Sequence, residues 1–149
     1  MSRAYPSVKA RNVAPMPGQD LAGARVLIVT AEFRRATSWR EALLRRHFAV
    51  AIACTEQTAR ALAAGSLHDI LVLDLTDPLC DGLTLCRQLR AAGVMSPILM
   101  LHPQGSPDDL LAGFDAGTDA YLCGSFSPEE LLAQIGALWR RRKSGERST

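Results

Sequence analysis

The sequence predicts an α/β domain, a doubly wound sandwich built on a parallel sheet of order 2-1-3-4-5. Three observations carry this reading. Short apolar runs recur at residues 25–29, 48–54, 70–75, 97–101 and 120–123. Helix-spaced apolar residues fill the intervals between them. Strands that alternate with helices in this way form a parallel sheet, and right-handed crossovers then cover both its faces. The order 2-1-3-4-5 sets strands one and three side by side, with a crevice at their carboxyl ends where function collects.

The chain has 149 residues, enough for one domain with a real core. Residues 1–24 hold Pro6, Pro15, Pro17, Gly18 and Gly23 without periodicity, which reads as a flexible N-terminal extension. Arg25-Val26-Leu27-Ile28-Val29 is the first strand, with Thr30-Ala31-Glu32 at its carboxyl end. A helix is expected over residues 37–47, with Trp39, Leu43 and Leu44 inward and Arg40, Arg45 and Arg46 outward. After the second strand, Thr55 with Thr58 suggests an N-cap, and Gly65 ends a short helix over residues 57–64.

The third strand, Ile70-Leu71-Val72-Leu73 with Leu75, is broken by one carboxylate, Asp74. That places Asp74 at the lip of the sheet. Thr76-Asp77-Pro78 and Asp81-Gly82 supply turn chemistry, and Leu83, Leu85, Cys86 and Leu89 a helix face that ends near Gly93. His102-Pro103 closes the fourth strand. Ser106-Pro107-Asp108-Asp109 opens a helix that runs to Ala116-Gly117. Gly124-Ser125 turns the chain after strand five, and Ser127-Pro128-Glu129-Glu130 opens the last helix as a capping box. Leu131, Leu132, Ile135, Leu138 and Trp139 give that helix its apolar face. The domain is read as residues 25–142, with 143–149 a tail or linker.

Charge is unevenly spread. Residues 1–24 carry +2, residues 140–149 carry +4, and the body between them carries −4. Arg140-Arg141-Arg142-Lys143 alone is too short for a DNA-binding element, though it would add phosphate contacts if tethered to one. Cys54, Cys80, Cys86 and Cys123 form no C-x-x-C pair and read as reduced, mostly buried residues. No apolar stretch reaches the length of a membrane span, and the N-terminus lacks a signal-peptide core, so the cytoplasm is expected. No nucleotide-binding glycine fingerprint and no nucleophile elbow appears, and no enzymatic activity is expected.

The segments RVLIVTAE, ILVLDLTDPLCDGLTLCRQLR, PILML and DDLLAGFDAGTDAYLCGSFSPEELLAQIGALWRR run collinearly through the chain. Together they resemble the receiver domain of response regulators in two-component signalling. The last of them is most similar to receivers that precede a winged-helix DNA-binding domain, the OmpR/PhoB-like group. The resemblance implies a flavodoxin-like (βα)5 fold and a phosphoryl group passed from a histidine kinase to Asp74. It also implies two acids after strand one to hold Mg²⁺, a Thr or Ser after strand four, a Lys after strand five, and a switch aromatic at Tyr121.

Several of these positions are altered. The acid pair aligns with Thr30-Ala31, with Glu32 at a third position whose side chain usually points away from the metal. The Thr/Ser position is His102, and the Lys-Pro pair falls on Gly124-Ser125. Phosphorylation would add about −1.5 to −2 of charge beside Asp77 and Asp81 with little to offset it. Asp74 is therefore expected to be a poor phosphoacceptor in a pseudo-receiver. Mg²⁺ binding is expected to be weak or absent, and no other cofactor is expected. One alternative keeps inefficient phosphotransfer to Asp74. Another has the pocket around Ala31, Asp74, His102 and Gly124 sense a ligand, or has Glu32, Asp74 and His102 bind a metal. A His102–Asp74 pair in place of the missing lysine, or a histidine in a surface loop, are further readings of His102.

For the output surface the resemblance implies dimerisation through helix four, strand five and helix five. Leu110, Gln134 and Gly136 stand where relatives carry basic residues, while Asp115 and Asp119 remain. Leu110, Leu111, Phe114 and Trp139 make this face more apolar, and a phosphorylation-independent homodimer is expected through it. Other expected partners are a sensor histidine kinase or another signalling protein. DNA is expected only through an effector domain outside this chain, and no membrane contact is expected.

Overall fold

A computed structural model of the chain describes residues 23–65, 68–74, 81–102 and 106–148, with side chains as far as residue 143. Five parallel strands, β1 (Arg25–Val29), β2 (Ala49–Ala53), β3 (Ile70–Asp74), β4 (Ile98–His102) and β5 (Ala120–Cys123), form one sheet in the order β2-β1-β3-β4-β5. The helices are α1 (Phe33–Arg45), α2 (Glu56–Ala64), α3 (Gly82–Ala91), α4 (Pro107–Ala116) and α5 (Pro128–Ser148). The doubly wound α/β sandwich of order 2-1-3-4-5 is thus the observed fold.

Two apolar layers hold the sheet. On one face Val26, Ile28, Ile70, Val72, Leu99 and Leu101 meet Ala36, Trp39 and Leu43 of α1 and Leu131, Ile135 and Leu138 of α5. On the other, Leu27, Val29, Leu71, Leu73 and Met100 meet Ala59 and Ala63 of α2 and Leu85, Cys86 and Leu89 of α3. Every residue of β3 is buried, because both faces are covered. Each of its aliphatic side chains contributes about 1.5–3 kcal/mol by burial.

Local chemistry sets most boundaries where expected. Thr55 accepts from the Thr58 amide at the start of α2. Ser127 and Glu130 exchange backbone and side-chain bonds as a capping box. Ser106 and Asp109 do the same at α4, whose Gly117 C-cap takes φ 114°. Asp81, read as part of a turn, is the N-cap of α3 and accepts from the Thr84 amide at 3.0 Å and its hydroxyl at 2.6 Å. Those bonds hold the Asp81 carboxyl below the usual carboxylate range.

Four expectations are corrected. Helix α1 starts at Phe33 and ends at Arg45, not over residues 37–47. Its N-cap, Glu32, makes no side-chain capping bond, and it ends on His47 at φ 69° in place of a glycine, so neither end carries the usual sequence mark. His102 is the last residue of β4 and half-buried, not a loop residue. Cys123 is exposed at the end of edge strand β5, as is Cys54 after β2, and only Cys86 of the described cysteines is buried. Helix α5 continues to Ser148, through residues read as tail or linker. The turn at Thr76-Asp77-Pro78, Cys80 and the extension 1–22 lie outside the described residues.

At the amino end of the sheet, Arg90 of α3 donates to the carbonyls of Val94, Ser96 and Gly117 and to the Asp119 carboxylate at 2.8 Å. Asp119 also accepts from the Ile98 amide at 2.8 Å. The same end holds His68, whose ring Nδ1 is buried without a partner among the described residues. Burial first, then the Arg25 charge, push the His68 pKa below its ordinary value, with Asp69 opposing. The unfolded chain therefore binds the proton first. We expect stability contributed by neutral His68 to be complete above about pH 6.5 and lost as pH falls through the folded pKa. In urea titrations at several pH values, His68→Gln should flatten this fall; an unchanged slope would show that His68 does not cause it.

Candidate functional site

The carboxyl ends of β1 and β3 are neighbours because Val29 pairs with Leu73. That register sets Thr30 beside Asp74. Asp74 is the last residue of β3 and only 2% exposed, so it lies beneath the sheet's lip and not on it. The Thr30 hydroxyl, itself buried, donates to Asp74 Oδ2 at 2.7 Å. It also accepts from the Glu32 amide at 3.0 Å, which fixes its orientation. Arg35, in the first turn of α1, reaches over the strand ends and donates through Nη1 to the same Oδ2 at 2.8 Å. A buried carboxylate is costly unless paired and hydrogen-bonded, and here one oxygen has a neutral donor and a charged one.

Arg35 was missed in the sequence. Its signal is faint but physical: it lies four residues before Trp39 and one before Ala36, both buried. Only a helix beginning at Phe33 puts it in a first turn above the strand ends.

The remaining sequence-predicted residues are partly dispersed. Ala31 and Glu32 are exposed. His102 Nε2 lies 3.7 Å from Asp109 Oδ2, on α4, which gives the expected His102–Asp74 pair a competing acid. Bonds from Ser106, with a smaller contribution from His102, hold the Asp109 carboxyl low. Gly124 takes φ 76°, a left-handed backbone that strains any other residue, lysine included. Among the described residues no three His, Cys, Asp or Glu side chains gather as a metal site, so Glu32, Asp74 and His102 do not form one. A groove beside α1 is lined by Ala31, Glu32, Phe33, Arg34, Thr37 and Ser38, and takes in neither Asp74, His102 nor Gly124.

The positions that the resemblance assigns to Mg²⁺ hold Thr30 and Ala31 beside Asp74. Thr30 offers a hydroxyl already donated to Asp74, Ala31 offers a methyl group, and Arg35 places a cation on the carboxylate. A divalent cation needs several oxygen ligands with negative charge among them. The described residues do not fit it.

Tyr121 of β5 is half-buried, with its hydroxyl donating to the Asp109 carbonyl at 3.0 Å and its ring edge-on to Phe114. Burial first, then Asp109 and the cysteines, raise its pKa. The ring occupies the space that a Cβ at Gly113 would take. On the adjoining surface Leu111 is 63% and Phe114 49% exposed, Leu110 and Gln134 are half-buried, and Trp139 packs against the core. Asp119 faces its own chain, on Arg90 and the Ile98 amide.

A five-stranded sheet of this order, with an aspartate ending β3 and a tyrosine on β5, defines a receiver-type signalling domain. The family model "Response regulator receiver domain" matches residues 26–136, and the chain belongs to that family. It is 42% identical over 119 residues to response regulator MprA of Mycobacterium leprae, across 80% of this chain and 52% of that protein. The chain thus spans about half the length of the curated relatives it matches. Among solved structures, Vibrio cholerae chemotaxis protein CheY4 is 26% identical with a TM-score of 0.72, over 78% of this chain and 99% of that one. The beryllofluoride-activated NtrC4 receiver domain dimer is 23% identical with a TM-score of 0.71, over 78% and 97%, and shows likeness of fold alone. No helix among the described residues is long and apolar enough to cross a membrane.

Removing Arg35 takes a charged donor from a carboxylate of 1% side-chain exposure. We expect Arg35→Ala to cost about 1–3 kcal/mol in urea unfolding, the half-exposed guanidinium keeping the loss below that of a fully buried pair. Asp74→Asn should cost less in that background than in wild type. Additive losses would show that the two side chains are not coupled.

Proposed function

We propose that this receiver domain works by protein–protein contact with Asp74 in its unmodified state, largely independent of Mg²⁺-dependent phosphorylation. The observation that supports this is the double donation to Asp74 Oδ2 by Thr30 and Arg35. To become phosphorylated, a carboxylate oxygen must attack phosphorus with a lone pair, and the new group adds about −1.5 to −2 of charge. Here Arg35 supplies one positive charge where the reaction ordinarily has a divalent metal and a lysine. The guanidinium fork also favours a second reading, in which Arg35 receives the phosphoryl oxygens and phosphotransfer proceeds without metal.

Intact-mass analysis after incubation with a small acyl phosphate, with and without Mg²⁺, separates these readings. We expect no adduct in either condition. A Mg²⁺-dependent adduct lost in Asp74→Asn would overturn the proposal, and a metal-independent one lost in Arg35→Ala would establish the second reading.

The partners proposed are another signalling protein, including a sensor histidine kinase, and a second copy of this chain. The copy would dock through α4, β5 and α5, where Leu111 and Phe114 are exposed beside half-buried Leu110 and Gln134. Apolar residues on a surface of this kind favour association. Sedimentation of Leu110→Asp should show a monomer where wild type sediments as a dimer; equal masses would remove this interface from the proposal.

A further inference from the structure

The basic run Arg140-Arg141-Arg142-Lys143, too short to act alone, is not alone in the fold. Helices α1 and α5 lie on the same face of the sheet and share one apolar layer. Both follow parallel strands, so both end at the amino side of the sheet, where α1 carries Arg45 and Arg46. Backbone and side-chain bonds tie these ends together. Arg46 precedes His47, whose carbonyl accepts from the Gly23 amide at 2.9 Å. Two residues on, Arg25 pairs with Asp69 at 3.3 Å. The Asp69 carbonyl then accepts from Arg142 Nη1 at 2.9 Å. Arg25, Arg45, Arg46, Arg140, Arg141 and Arg142 are brought to one end of the molecule, and Lys143 sits over the Trp139 ring beside them.

Arg45, Arg46, Arg140 and Arg141 are exposed, and among the described residues none of the four makes an ion pair. Asp69 is already engaged by Arg25. Helix C-termini favour cations near their last turn, which gives Arg45 a local role but does not require four exposed guanidiniums across two helices.

We infer that this end of the domain is a binding surface for the phosphate backbone of duplex nucleic acid. A duplex presents one negative charge per about 1.7 Å of its axis, so guanidiniums carried on two packed helices can engage several phosphates without residue-by-residue fit. An acidic protein would have to match each position. Arginine's planar fork binds phosphate through two parallel bonds, and six of the seven cations are arginine. A membrane surface would ask for apolar side chains interleaved with the charges. Of the described exposed large hydrophobics, Leu44 is on the last turn of α1 beside the arginines, while Leu62 of α2 and Met95, between α3 and β4, are at the same end on elements that belong to the other apolar layer. The surface lies opposite Asp74 and stands whether or not Asp74 is phosphorylated.

The test is fluorescence anisotropy of a labelled DNA duplex titrated with the full chain over a range of salt. Binding should weaken with salt at a log–log slope of about −0.9 for each phosphate engaged. Arg45→Ala with Arg46→Ala, and separately Arg140→Ala with Arg141→Ala, should each reduce that slope by about two, while the corresponding lysine pairs should retain it. No binding at low salt would overturn the inference. So would a slope unaffected by the Arg45 and Arg46 pair, since the binding would then belong to the end of α5 or to residues 1–24. Tighter binding to phosphatidylglycerol vesicles than to the duplex, with the same dependence on both pairs, would replace it with a lipid surface.

Discussion

Strand β3 is central in the sheet and covered by helices on both faces, so nothing charged can reside along it. Its one carboxylate comes at the last residue, and even there solvent hardly reaches it. A carboxylate so placed persists only if donors are brought to it. The fold brings them from two directions. The β1–β3 register carries Thr30 alongside, and the early start of α1 swings Arg35 over the top. Thr30 is in turn aimed by the Glu32 amide at the N-cap of α1. The strand end, the loop and the first helical turn are joined by hydrogen bonds centred on Asp74 and Thr30.

The opposite end of the sheet is braced differently. Arg90 collects the carbonyls of Val94, Ser96 and Gly117 and shares Asp119 with the Ile98 amide, which joins α3, β4 and the end of α4. Gly117 leaves Arg90 its room, since a Cβ there would meet the arginine stem. Arg25, Asp69 and Arg142 form a second brace under α5. These contacts divide among carbonyls and carboxylates of several elements, so loss of one leaves others. At the carboxyl end both described donors converge on a single oxygen. A change of charge at that oxygen acts on both donors at once.

The sequence pattern was informative wherever burial imposed it. Two-sided burial made β1, β3 and β4 unbroken apolar runs, and reciprocal caps at Ser106 and Ser127 marked α4 and α5. Helix α1 lacked such marks, because Glu32 caps without its side chain and His47 does the work of a C-terminal glycine. With its start displaced by a turn, Arg35 lost the position that gives it meaning. Cys123 was misread for a related reason: β5 is an edge strand, and the burial expected of a cysteine in the middle of the sheet does not extend to its end. Long-range charge placement was hidden altogether. Arg45 and Arg140 are 95 positions apart, and only the shared helix direction at the sheet's amino end brings them to the same side.

The altered pocket makes sense as a set. The family pattern gathers an acid pair and the acceptor aspartate, three carboxylates, against a divalent cation and a lysine, so that opposite charges balance. On the positions that the resemblance implies, Thr30 and Ala31 stand for the acid pair and Gly124 for the lysine, in a backbone at φ 76° that a lysine would strain. Of the pattern's acids Asp74 remains, and Arg35 provides one guanidinium at 2.8 Å. Removing Arg35 would take a charged donor from a carboxylate that solvent hardly reaches. A buried aspartate at the end of β3 needs opposite charge close by, and among the described residues Arg35 brings a guanidinium to it at 2.8 Å.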